Sequence, residues 1–140
     1  MSFFSSTTFE DIGKLLIRLA VGGLILFHGF FKMVHGVEWI KDPLSALGLP
    51  GVLAYGTYIA EVAAPIVILL GFRVRFAALV VAFDMVMAIV LVLRQNIFAV
   101  KQAGGGWGIE LEAFFLLASL ALFFTGAGKY SVSKAHSMWD

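Results

Sequence analysis

Six ionisable side chains interrupt the long apolar runs of this chain: Arg18, His28, Lys32, Glu61, Asp84 and Glu112. Charge inside hydrocarbon is costly, turns towards a protein interior or water, and marks a candidate functional site by default. Their types suit proton transfer and charge-assisted hydrogen bonding. His28 and Lys32 are four residues apart and share one helical face. At about 1.5 Å of rise per residue, counted from the end that carries the termini, the six fall into two layers. Arg18 lies roughly 9 Å deep, Asp84 roughly 12 Å and Glu61 roughly 13 Å, on three different helices. A desolvated guanidinium favours carboxylates in fork geometry, so an Arg18–Glu61–Asp84 cluster is expected. The outer layer holds Glu112 at roughly 20 Å and His28 at roughly 24 Å, with Lys32 and Glu110 about a turn further out. Glu110 and Glu112 are the expected partners of His28 and Lys32, with Glu112 the deeper of the two.

Each of these residues also has a plainer role. A buried arginine–carboxylate cluster can simply fix helix packing and register. Lys14 and Lys32 can extend their ammonium groups to lipid headgroups, and Glu110 suits the solvated start of a helix. His28 can serve as a satisfied polar group between helices. Small residues at Gly56, Ala60 and Ala64 form a stripe for close helix packing. Glu61 beside that stripe is expected to face protein rather than lipid.

The elements that must hold these groups follow from composition. Hydrophobic residues make up 61% of the 140, charged residues only 14%, and mean hydropathy is +0.97. That leaves too little polar surface to coat a water-soluble globule. The 14 phenylalanines exclude disorder, and a net charge of +1 supplies no field for nucleic acid. Four apolar stretches approach the roughly 20 residues a membrane helix needs: 12–31, 52–70, 76–93 (extensible to 98) and 109–125. Asp42-Pro43, Gly48-Leu49-Pro50-Gly51, Gly71 to Arg75 and Gly104 to Gly108 separate them, and Gly126-Ala127-Gly128 ends the last. The runs lack the alternating polarity of barrel strands. The expected fold is a single all-α domain over 1–140, a transmembrane four-helix bundle with both termini on one side. Lys14, Arg73, Arg75, Lys129 and Lys134 put more positive charge on that side, which favours the cytoplasm. Arg18 and the continuation through His28, Lys32 and Trp39 argue against a cleaved signal peptide. Phe3 to Asp11 reads as an interfacial lead-in.

Several chemistries do not fit. The chain has no cysteine, which removes disulfides, thiolate metal ligation and thiol catalysis. Haem between helices needs histidines on two of them. His28 and His35 share one helix, and His136 lies in the tail at the opposite end. The Gly104–Gly108 run lacks the Gly-Lys-Ser/Thr of a phosphate loop. No metal site and no intrinsic cofactor are expected.

With spans and charges placed, the chain resembles the DoxX family of small four-helix membrane proteins from Leu16 to Ser133. The resemblance rests on Arg18-Leu19-Ala20, on His28-Gly29-Phe30-Phe31-Lys32, on Gly48-Leu49-Pro50 and on Glu61. Leu70-Gly71-Phe72 with Arg73 and Arg75, and the terminal Gly126-Ala127-Gly128-Lys129-Tyr130-Ser131, complete it. The family often has an aspartate two residues after that serine, where this chain has Ser133. Arg18, His28, Lys32 and Glu61 would be the shared polar positions. The resemblance implies a bacterial inner-membrane protein serving a redox system. On that reading a quinone-like lipophile is held by His28, Lys32 or Arg18, and Glu61 or Asp84 relays its protons. Expected partners are the lipid bilayer, a lipophilic small molecule, an electron-supplying redox protein and a second copy of the chain. A non-catalytic lipid-binding protein or transporter and a structural anchor are the rival readings.

Overall fold

The computed structural model describes residues 6–133 and 138–140, and the described residues are helical in all their long elements. Residues 3–5 of the expected lead-in, together with Lys134 and His136, lie outside them, and its remainder is the start of the first helix. Helix α1 runs Ser6–His35 and α2 runs Glu38–Ala46. Helix α3 spans Gly51–Leu70, α4 spans Val74–Leu91 and α5 spans Glu110–Thr125. Helices α1, α3 and α4 are long and apolar enough to cross a membrane. The fourth expected span is present as α5, but its 16 residues reach only about 24 Å at helical rise, short of about 30 Å of hydrocarbon.

Two boundaries differ from expectation for clear reasons. Helix α4 stops at Leu91, and a 3-10 turn over Arg94–Asn96 follows, leaving Phe98 almost wholly exposed at 98%. Helix α2 occupies a segment that the Asp42-Pro43 pair marks as a turn. Pro43 sits inside it, and burial of Ile40 and Leu44 against Val37 and Ala54 outweighs the missing amide.

Helix α3 is not uniform. It opens as 3-10 helix over Gly51–Tyr55, widens to a π turn over Ile59–Ala63 and closes as α-helix over Ala64–Leu70. Pro65 explains the π turn. Its ring has no N–H for the Glu61 carbonyl and would clash with it in regular α geometry. The Ala64 amide reaches back five residues to Ile59 instead. Pro65 is fully buried, so the distortion is locked into the core. The small-residue stripe is broken there: Ala60 and Ala64 are buried, while Gly56 is exposed.

The close approach between α1 and α3 comes from glycines on α1. A Cβ on Gly29 would fall inside the Glu61 carbonyl, and one on Gly22 would meet Leu69 and the Pro65 carbonyl. These glycines set the register, placing Gly29 level with Glu61 and Gly22 level with Pro65 to Leu69. The core joins Val21 and Ile25 of α1 to Ile68, Ala78, Val81, Phe115 and Leu122 of the other helices.

Beside the C-terminal end of α3, Arg18 of α1 is 1% exposed. Its Nε donates to the Ile68 carbonyl at 2.9 Å and Nη2 to Leu69 at 2.7 Å. Nη1 donates to Ala127 at 3.1 Å and Tyr130 at 2.5 Å. The expected Arg18–Glu61–Asp84 cluster is therefore replaced by a clamp on backbone carbonyls. The reason is register. Counting each span from its own apolar boundary put Arg18 level with Glu61, but α1 begins before that boundary at Ser6. With Gly29 level with Glu61, Arg18 lies eleven residues away on α1, about 16 Å along the axis, beside the end of α3. Carbonyls left open at a helix C-terminus are good acceptors for a cation. Gly71, with φ +74, turns the chain there, and a Cβ on it would strike the guanidinium. Ser133 Oγ caps the Gly71 carbonyl at 2.8 Å. Asp11 accepts from the Lys129 amide at 3.1 Å, so the start of α1 and the segment after α5 meet at this end.

Candidate functional site

The opposite half of the bundle is open. A cavity of about 560 Å3 lies between α1, α3, α4 and α5, with Trp39 of α2 at its wall. Its surface is mostly apolar, including Phe27, Phe31, Met85 and Phe115, and four ionisable residues interrupt it: His28, Lys32, Glu61 and Glu112. A volume between about 300 and 1,000 Å3 with few polar groups is typical of small-molecule sites.

Lys32 Nζ donates to Glu61 Oε1 at 2.5 Å. The expected Lys32 partners were Glu110 and Glu112, and the structure corrects this. Side chains of a helix lean towards its N-terminus. Helices α1 and α3 run in opposite directions, so Lys32 leans down and Glu61 leans up until they meet. Glu61 is only 4% exposed. Its second oxygen, Oε2, is buried with no hydrogen bond of ordinary length among the described residues, and the Asp84 carboxyl is its neighbour. The Lys32 ammonium also lies 5.7 Å from the Trp39 ring centroid, within range of a cation–π attraction. The Tyr58 hydroxyl donates to the Lys32 carbonyl at 3.1 Å, tying α3 to the same turn of α1.

His28 Nδ1 lies 3.1 Å from the Leu24 carbonyl. A carbonyl only accepts, so Nδ1 carries the proton and, in the neutral ring, Nε2 is the acceptor. The ring meets Phe115 edge-on, with centroids 6.0 Å apart. Glu112 lies in the first turn of α5, where the helix dipole favours a carboxylate. It has no ion-pair partner among the described residues. Glu110 is exposed and stands outside the cavity wall.

Asp84 is half-buried and close enough to Glu61 and Lys32 for both charges to act on it. It stands behind Glu61 rather than in the cavity lining. Of the six sequence candidates, four line one cavity, Asp84 adjoins it, and Arg18 is elsewhere with its donors spent on carbonyls. Sequence reasoning did not anticipate Trp39 as a wall residue, the π turn under Glu61 or the contact between Gly29 and Glu61. Pro65, four residues after Glu61, is the signal that could have revealed the π turn. No group of three or more metal-ligating side chains converges among the described residues.

Comparison with known proteins agrees with this architecture. The chain is 26% identical over 117 residues to a Bacillus subtilis (strain 168) protein provisionally named as the oxidoreductase CatD. That match covers 84% of this chain and 81% of the relative. It is also 26% identical over 132 residues to an uncharacterized membrane protein of Mycobacterium tuberculosis. There the coverage is 86% of this chain and 78% of the relative. No solved structure matches the chain. The DoxX family model matches residues 13–94, which include Arg18, His28, Lys32, Glu61 and Asp84 and leave out α5 and the terminal glycine motif. With more than half of its residues matched, this membrane protein belongs to the DoxX family.

Proposed function

We propose that this chain is a membrane component of a redox system and holds a quinone-like lipophile in the cavity between α1, α3, α4 and α5. The observation that carries the reading is the Lys32–Glu61 pair at the wall of a mostly apolar cavity of about 560 Å3. A quinone-type ring matches both features. Its body favours Phe27, Phe31, Met85 and Phe115, and its oxygens favour the few polar groups that interrupt them. When bound, a quinone supplies two-electron, two-proton chemistry. The chain's own part is to bind and orient the ring, to exclude bulk water and to hold protons on Glu61, Asp84 and His28. Arg18 has no role at this site. Electrons come from a partner protein, and the oxidoreductase name of the Bacillus subtilis relative agrees with service to such a partner. The setting is the bacterial inner membrane, with the Arg18 end facing the cytoplasm, as the basic residues around it favour.

The test is native mass spectrometry of the full chain extracted gently from its own membrane. A stoichiometric quinone that is lost in Glu61→Gln or His28→Ala is the expected result. A bare bundle, or one carrying only bulk phospholipid, would refute the quinone site.

A further inference from the structure

The polar groups at the cavity wall differ in the hydrogen bonds they can offer. Glu61 and Glu112, as carboxylates, only accept. His28 uses its Nδ1 proton on the Leu24 carbonyl, which leaves Nε2 as an acceptor in the neutral ring. No described residue bonds Nε2. Lys32 is the charged donor among the four: one of its three N–H groups is on Glu61 Oε1 and the ammonium lies over the ring of Trp39, whose indole N–H is a second donor at the wall. The cavity therefore offers acceptors at His28 Nε2 and Glu112 as well as donors at Lys32 and Trp39, and a hydroxyl, which both donates and accepts, can meet the two kinds together.

A ligand that brings only carbonyl oxygens can accept from the donors but has no proton to give. It would also leave His28 Nε2 and Glu112 facing acceptors. A ligand that brings hydroxyl donors satisfies these groups and leaves the Lys32–Glu61 pair intact. We infer that the cavity selects a hydrogen-bond donor: an aromatic hydroxyl on an apolar body, as in a hydroquinone, in preference to the corresponding quinone. The inference rests on the proposed lipophile site and specifies which redox form it holds. His28 Nε2 is the acceptor that decides the preference, because it stands on the same helical face as Lys32 and against Phe115 of the opposite wall.

The experiment uses the full chain in phosphatidylcholine nanodiscs under argon. Decylubiquinol, decylubiquinone and the dimethyl ether of decylubiquinol are titrated separately, with occupancy read by native mass spectrometry. The three share a ring and tail and differ in the hydroxyl protons. The expected result is that the quinol binds roughly ten-fold or more tightly than either of the others, as one or two hydrogen bonds to acceptors imply. In His28→Phe, which keeps a ring against Phe115 and removes Nε2, the quinol advantage falls below about three-fold while quinone affinity is unchanged. If the quinone or the ether binds as tightly as the quinol, the donor preference is overturned and the cavity still holds a lipophile. If none of the three binds, the lipophile site itself is overturned, and the preference falls with it.

Discussion

Gly29 offers the sharpest test of how α1 and α3 fit together. The Glu61 carbonyl is freed by Pro65 and faces the Gly29 backbone so closely that a Cβ would overlap it and come within 2.6 Å of the carbonyl carbon. These are backbone atoms and cannot swing aside. Relieving the overlap to an ordinary contact of about 3.4 Å means separating the helices by about 1 Å along their closest contact. Forcing volume into such a packed interface costs about 1–3 kcal/mol, and the upper part of that range is expected because no flexible side chain is there to yield. Gly23, on the same helix, has nothing within 4 Å of its Cβ position. There alanine gains up to about 1 kcal/mol of helix propensity and loses nothing. The same substitution should therefore have opposite signs six residues apart, with a total difference of about 3 kcal/mol. Reversible unfolding in mixed micelles measures both. If Gly29→Ala proves as stable as Gly23→Ala, the inferred register of α1 against Glu61 is wrong.

Three further outcomes follow from the same contacts. Lys32→Met strands a buried carboxylate and should destabilise the fold by about 3–5 kcal/mol. Combining it with Glu61→Leu should recover most of that loss, and an unfolding double-mutant cycle reads the coupling. Arg18→Met removes four hydrogen bonds to carbonyls and should cost about 3–5 kcal/mol. Its effect should appear as lost proteolytic protection of the segment after α5, with ligand binding at the cavity retained. Lys41 donates to Glu38 within α2 and to the Tyr55 hydroxyl of α3, and its pKa is raised, first by the hydrogen bond to Glu38 and then by that to Tyr55. A raised lysine pKa contributes stability below the unfolded value of about 10.4 and loses it as pH rises through the folded value. Unfolding followed from pH 9 to 11.5 should show a small alkaline loss that Glu38→Gln reduces; an unchanged profile would show that the Glu38–Lys41 pair is not its source.

The helical architecture was legible because apolar run length is a one-dimensional property. The expected limits 109–125 and 76–93 lie within two residues of α5 and α4 at both ends. Side-chain partners were less legible because they depend on how far one helix slides past another. Each run was measured from its own apolar edge, and α1 carries polar turns at its start, so Arg18 was placed at the wrong level. The same slip hid the Lys32–Glu61 pair, which needs the opposing lean of two antiparallel helices as well as the right register. Helix α2 was hidden for a different reason. Nine residues with Pro43 inside have no intrinsic tendency to form a helix alone, and only the burial of Ile40 and Leu44 makes one.

The two ends of the bundle use buried cations in different ways, and counting hydrogen bonds separates their roles. Arg18 has five N–H donors, and the structure satisfies four bonds with carbonyls from two chain segments. A guanidinium with four of five donors met and 1% exposure presents almost nothing to a ligand, and its burial is compensated locally. It closes that end by tying α3 to the segment after α5. Lys32 and Glu61 are compensated only in part. One carboxylate oxygen is bonded to Lys32, the other is buried near Asp84 with no hydrogen bond of ordinary length among the described residues, and the cavity lies against both residues. Leaving a buried polar atom unmet costs free energy that an apolar pair would not incur. A π turn and a glycine contact hold Glu61 in that position against this cost. Those features are hard to account for if the pair serves packing alone, because packing would be better served by two leucines.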